Sequence, residues 1–565
     1  MFDAMISRRR SFLSLFVAIA LAACASGSAP SHRREAMVAA ADPRAVDAAL
    51  QMLREGGTAT DAAIAAEAVL GLVEPQSSGI GGGGFLLHYD GATHRIEAYD
   101  GRERAPAGAT PDMFLDPAGH PLPFFDAQAS GRSVGTPSLY AMLKLAHDQH
   151  GRLPWARLFE PAIQLAENGF VVGPRLANSI RIGAQMGHVR EDPAARAYFF
   201  DASGAPRPVG YVLKNPEYAE TLRRIAQEGP EALTHGEIAE AIVAAVQREP
   251  RAGTLTLADL QAYQPRRLDA VCGTFRVYRV CGPPLPSSGG EAVLAILGLY
   301  ERARPHPEGP NNADDWSAFI GASRLAYADR DHYAGDDEFV PVPLHELYAP
   351  RYLDERARLI DVAHAPQSVT PGMPAGRAAF ERWGRDQSGD HPGTTHMAIV
   401  DGEGNSVSMT ATVESIFGDQ RMVHGFFLNN QLTDFAWVPS INGRPVANAV
   451  APRKRPRSSM APMIITDRDG RLVMAVGSPG GSGIIAYVSR TIIGVLDWKQ
   501  TQCRRRERHG ARRVVAPAAG HRARIGCARL DDPGNRLGTK RPASYPGDPA
   551  RLCRRRRHPP RRRRA

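Results

Sequence analysis

The run His391-Pro-Gly-Thr-Thr-His-Met-Ala-Ile-Val-Asp401, with its continuation to Thr412, leaves little choice of local structure. Thr395 to Val400 is β-branched and apolar, Asp401-Gly-Glu-Gly-Asn405 is a turn sequence, and Ser406 to Thr412 is a second run of small and β-branched residues. This pattern predicts an antiparallel hairpin. With the loop centred on Glu403, Thr394 lies opposite Thr412, and directly opposed residues point to one face. Glu414, two residues beyond Thr412, faces the same way. Two hydroxyls and a carboxylate are therefore expected to meet. Paired threonines are also ordinary strand residues, so the spacing alone does not make a catalytic site.

Further motifs surround the hairpin: Thr394-Thr-His, Gly404-Asn405, Phe417-Gly418 and Leu428-Asn-Asn-Gln-Leu-Thr-Asp-Phe435. Together they resemble the γ-glutamyltransferase family of N-terminal-nucleophile hydrolases. The resemblance implies an α+β fold, an αββα four-layer sandwich made of two chains cut from one precursor. It places the cut between Gly393 and Thr394, giving segments 24–393 and 394–565, with residues 394–502 as the core of the smaller one. Thr394 then becomes both N-terminus and nucleophile, oriented by Thr412. A threonine hydroxyl is a weak nucleophile that needs a base. A new α-amine titrates near about 8 and can take that proton.

Ahead of the hairpin, Asp42-Pro43 opens a predicted helix that Gly56-Gly57 ends, and an Ala-rich helix follows over about 60–72. Gly79 to Gly84 contains GxGxxG, but a helix precedes it and the strand-like Phe85-Leu-Leu-His-Tyr89 follows it. That order excludes a dinucleotide fingerprint; the segment instead resembles the family's amino-terminal signature. A strand over Ile96 to Tyr99 leads to Asp100-Gly-Arg-Glu-Arg-Ala-Pro106. In the family the position matching Arg102 binds the substrate α-carboxylate, a task that suits the guanidinium fork; Arg104 is the nearby competitor. Residues 365–392, rich in Pro, Gly and charge, read as a mobile approach to the cut.

Beyond the hairpin, the resemblance assigns Gln431 and Asp434, with Glu414, to the substrate α-amino group. The stretch 436–454 matches the family's lid and carries no tyrosine, so an open acceptor side is expected, tolerant of large amines and of water. Ala461 to Thr466 and Arg471 to Val476 flank the turn sequence Asp467-Arg-Asp-Gly470 and read as a second hairpin. Pairing Thr466 with Arg471 sets Ser459 opposite Ser478. The resemblance puts Ser458 and Ser459 on the α-carboxylate and makes Gly480 and Gly481 the oxyanion hole, ahead of an apolar helix over about 484–498. The loop lacks GxxxxGK[ST] and is not a P-loop. The implied reaction is attack of Thr394 on a γ-glutamyl amide such as glutathione, then transfer of the acyl group to water or an amine. No metal or organic cofactor is implied. The alternatives are a glutaryl or cephalosporin acylase sharing these motifs, and an unprocessed lipoprotein with a basic binding tail.

The two ends are unlike the body. Arg8-Arg-Arg10 precedes an apolar run from Phe12 to Ala23, too short to span a bilayer, and reads as an export signal over 1–23. Leu21-Ala-Ala-Cys24 resembles a bacterial lipobox, with Cys24 as the lipid-bearing first mature residue; a plain secretory cut is the alternative. From Cys503 onward there are 20 Arg and one Lys against four acids, a net of +17. The remainder holds 48 basic against 55 acidic residues, so the body is mildly acidic and makes no case for nucleic acid. The resemblance stops near Gln502, and the Arg- and Pro-rich tail 503–565 reads as a shifted reading frame, which resequencing the gene would test. Of six cysteines only Cys272 and Cys281 belong to the body. They flank a hairpin-like stretch, and export permits a disulfide between them.

Overall fold

The computed structural model describes residues 35–364, 368–389 and 393–500, together with the backbone of 513–515 and 528–529. The export signal, Cys24 and the body of the tail lie outside the described residues.

Alternation along the strands builds the layers. In β1 (Met37–Ala39), β2 (Gly83–Tyr89), β3 (Ile96–Gly101), β4 (Arg266–Asp269), β7 (Thr395–Val400) and β8 (Ser406–Thr412), every pairing is antiparallel, in the order β1-β7-β8-β2-β3-β4. A second sheet holds β5 (Val271–Phe275), β6 (Tyr278–Gly282), β9 (Met463–Thr466) and β10 (Leu472–Val476), in the order β10-β9-β6-β5. Residues 528–529 pair with β1, and 513–515 run parallel to β10, so tail backbone occupies an outer position in each sheet.

Leu87, Tyr89, Ala398 and Val400 face Ile464, Leu472 and Ala475 of the other sheet, which makes the inner layer. Their neighbours Leu86, Met397, Ile399 and Met409 point outward onto α1 (Pro43–Arg54), α2 (Ala59–Val73) and α3 (Leu139–His150). Met463, Ile465, Met474 and Val476 point outward onto α4 (Gly289–Ala303), α5 (Ala313–Tyr333) and α6 (Gly483–Leu496). The period-2 switch between faces lets each strand serve two cores. Helix, sheet, sheet, helix is the αββα sandwich.

Local signals explain the element ends. Asp42 caps α1 by accepting from Arg44 N at 2.9 Å, with Pro43 at the first position. Thr58 and Asp61 form a capping box at the start of α2. Cys272 and Cys281 are directly opposed on β5 and β6 and joined by a disulfide.

The first hairpin has the predicted register: Thr410 opposes His396 and Ala411 opposes Thr395. The second does not. Thr466 pairs with Leu472 rather than Arg471, and a bulge between Ile465 and Thr466 puts Met463 opposite Val476. Asp467 is the cause: its Oδ1 accepts from the N–H of both Asp469 and Arg471, which draws Arg471 into the loop. The expected opposition of Ser459 and Ser478 therefore does not form. Within the approach segment, buried Asp386 takes an ion pair from Arg457 at 3.1 Å and a hydrogen bond from Asn448.

Candidate active site

Thr394 sits immediately before β7, and its Oγ1 donates to Thr412 Oγ1 at 3.1 Å. Thr412 Oγ1 also accepts the Glu414 N–H at 2.8 Å. Two backbone features mark the spot. Thr394 has φ +122°, a value that costs a β-branched residue strain. A Cβ on Gly393 would meet the Glu414 carbonyl oxygen at 1.8 Å, so only glycine fits before it.

One pocket opens on this pair. It is lined by Arg102, Thr394, Thr412, Glu414, Gln431, Asp434, Ser458, Ser459, Met460, Gly481 and Ile484. Of the residues singled out in the sequence for catalysis or binding, Gly480 alone is missing from the lining. Gly480 and Gly481 have φ +137° and +55° and lead into α6, whose first turn begins with Gly483 and Ile484 N–H bonded to their carbonyls. The positive end of α6 thus faces this corner of the pocket.

Arg102 is completely buried and rigidly held. Its Nε donates to Pro456 O, its Nη2 to Arg457 O at 2.8 Å and to Asp434 Oδ2 at 2.5 Å. Its Nη1 has no hydrogen-bond partner and lies 3.8 Å from Glu103 Oε2. Burial pushes the Glu103 carboxyl up to about 8, against the pull of Arg102. Arg104 pairs with Glu338 instead and does not reach the pocket.

The acidic side is as firmly built. Gln431 Nε2 donates to Asp434 Oδ2 at 2.9 Å, while Gln431 Oε1 is buried without a hydrogen-bond partner. Ser415 Oγ and Asn430 Nδ2 both donate to Glu414 Oε2. Arg102 and Gln431 both line the pocket, and each has a buried polar atom, Nη1 and Oε1, short of a hydrogen bond. Such groups carry a desolvation cost that a complementary ligand removes.

Several contributors escape sequence reasoning. Arg330, on α5, donates to Ser459 Oγ at 2.5 Å and to Ser288 Oγ at 2.8 Å, fixing Ser459 from 129 positions away. Ser415 has no signal beyond adjacency to Glu414. Met460 and Ile484 form an apolar wall that no motif marks. His396 beside the threonines invites a hydroxyl–imidazole reading, but β7 turns it inward. Its Nδ1 bonds Thr410 Oγ1 at 2.9 Å, and burial lowers it to about 3. Among the described residues no histidine lines the pocket. The lid stretch does contain an aromatic, Trp437, but it stacks on Phe114 and Phe124 and no residue of 436–457 lines the pocket.

The family model described as gamma-glutamyltranspeptidase matches residues 45–505. The glutathione hydrolase proenzyme of Bacillus subtilis is 37% identical over 471 residues, 82% of this chain and 78% of the relative. That of Escherichia coli is 36% identical over 482 residues, 83% and 79% of the two chains. Among solved structures, cephalosporin acylase from Bacillus halodurans superposes with a TM-score of 0.71 at 26% identity, covering 84% of each chain. Helicobacter pylori gamma-glutamyltranspeptidase matches with a TM-score of 0.56 at 30% identity, over 60% of this chain and 95% of the other. With the family model spanning most of its length and relatives above 30% identity along it, the chain belongs to the gamma-glutamyltranspeptidase family of N-terminal-nucleophile hydrolases.

Proposed function

We propose that the chain cuts itself between Gly393 and Thr394 and then hydrolyses or transfers γ-glutamyl groups, as a γ-glutamyltransferase and glutathione hydrolase. In maturation, Thr394 Oγ1 attacks the Gly393 carbonyl carbon, the C–N bond breaks to give an ester and a free α-amine, and water releases the ester. The positive φ of Thr394 supports this step, because the strain it stores is lost with the bond. In turnover, the new α-amine takes the Thr394 hydroxyl proton as Oγ1 attacks the γ-carbonyl. The Gly480 and Gly481 N–H groups receive the oxyanion. The leaving amine departs with that proton, and water or an amine acceptor attacks the γ-glutamyl ester.

The observation that carries the choice of donor is that Arg102 and Gln431 line one pocket, each with a buried polar atom, Nη1 and Oε1, that lacks a hydrogen-bond partner. An α-carboxylate satisfies the first and an α-ammonium the second. Ser458 and Ser459 add hydroxyls on the carboxylate side, and Glu414 and Asp434 add negative charge on the ammonium side. The superposition on a cephalosporin acylase favours one rival, a glutaryl amidase. A glutaryl group lacks the α-amino group and leaves Gln431, Glu414 and Asp434 without it. We expect kcat/KM for a γ-glutamyl anilide to exceed that for the glutaryl anilide by about 10²-fold or more. Equal values in a side-by-side chromogenic assay would overturn the donor assignment.

Export, with lipid at Cys24, completes the proposal. Among the described residues no helix is long and apolar enough to cross a membrane, so attachment would rest on the acyl chains. Metabolic labelling with a palmitate analogue should mark the wild type and not Cys24→Ser; equal labelling of both would remove the tether.

A further inference from the structure

On the outer face of the first sheet, away from the pocket, three metal-ligating side chains converge. His88 on β2 and Glu97 on β3 are directly opposed strand residues. His150, the last residue of α3, closes over them, with Nε2 at 3.0 Å from Glu97 Oε2. One ligand atom from each of the three lies within 4.8 Å of the others. Tyr99 Oη, on the same face of β3, is 2.7 Å from His150 Nε2 and 3.4 Å from Glu97 Oε2.

We propose that His88, Glu97 and His150 form a binding site for a borderline divalent transition metal of the zinc type, separate from the catalytic pocket. Two imidazoles and one carboxylate are the donor set that such ions prefer over calcium or magnesium, which take all-oxygen shells. A second observation is independent of the clustering. His88 is 4% exposed, and its Nδ1 is buried with no hydrogen-bond partner, an arrangement that costs free energy unless something ligates it.

Glu97 is held for the task. Arg95 and Arg267 both take its Oε1, which leaves Oε2 as the oxygen facing the histidines. The ring planes of His88 and His150 stack with centroids 3.6 Å apart and 10° between planes. Their in-plane lone pairs then run side by side, and a shared ion requires one ring to tilt. His150 is the ring that can do so, being at a helix end and half-buried, and it would exchange its Tyr99 bond for the metal. Thr412 pairs with Gly83, five residues and about 16 Å from His88 along β2, and Thr394 begins the strand beyond Thr412, so the site is well separated from the nucleophile.

The test uses the full mature chain, stripped with chelator and titrated with zinc chloride by calorimetry. We expect one equivalent bound with micromolar affinity, weakened at least tenfold in both His150→Gln and His88→Gln. Cobalt(II) added instead should give visible absorption bands in the wild type that His150→Gln loses. Absence of saturable one-to-one binding to the folded wild type would overturn the proposal. So would unchanged affinity in His150→Gln, since its partly exposed position makes misfolding a poor excuse. Circular dichroism of each variant separates lost ligation from lost fold.

Discussion

Thr394→Ala is expected to leave the chain uncut and inactive. The methyl that replaces the hydroxyl-bearing side chain cannot attack Gly393, so no new N-terminus forms. The variant then lacks nucleophile and base together, because the base is the amine that cleavage would have released. Loss of a nucleophile that acts as a unit with its base typically costs about 10⁴-fold or more, and here the residual rate should fall to background on a γ-glutamyl anilide. Thr394→Ser keeps Oγ and should still cut, more slowly. The distinction matters because Thr394 is buried against Thr412. A merely structural role would predict small effects for both substitutions and normal cutting.

The second large effect is expected at Arg102. Its guanidinium holds two backbone carbonyls and Asp434, while Nη1 has no hydrogen-bond partner. Arg102→Lys preserves the charge but loses the fork. Each lost hydrogen bond to a charged group costs about 1.5–3 kcal/mol, and Lys cannot keep all of those the guanidinium makes. We therefore expect a rise in KM for the γ-glutamyl donor of about 10²-fold or more, with the smaller part of the loss in kcat. Arg104→Lys, two residues away on a half-exposed pair with Glu338, should stay within about twofold. Steady-state kinetics on both variants checks this, with intact mass confirming that each has matured. A kcat defect without a KM change at Arg102 would move it from donor binding to maintenance of the fold.

Much of the nucleophile's setting was legible because strands have a period of two. A turn centred on Glu403 sets the Thr394–Thr412 pair; Glu414 also lines the pocket, but the strand ends at Thr412 and its own φ of +81° carries it there. The second hairpin was not legible, because the Asp467 side chain competes with the strand ladder and adds residues to the loop. The two serines reach the pocket all the same, since their place depends on the packing of 458–460 against 286–288 and on Arg330. No local pattern encodes Arg330 beside Ser459. The choice between Arg102 and Arg104 likewise rests on which of them meets Asp434, a contact 332 positions away. His396 illustrates the reverse case: it shares Thr394's face of the strand, but two residues further along it bonds Thr410, lies buried between the sheets and stays out of the pocket.

The most direct test of the central claim is the intact mass of the chain expressed without residues 1–23 and incubated at neutral pH. Two fragments whose masses meet at the Gly393–Thr394 bond, with Thr394 as the sequenced N-terminus of the smaller, are the predicted result. They should appear together with γ-glutamyl hydrolysis and be absent in Thr394→Ala. A chain that stays in one piece yet hydrolyses the γ-glutamyl anilide, or one that cuts elsewhere with Thr394→Ala still active, would contradict the account.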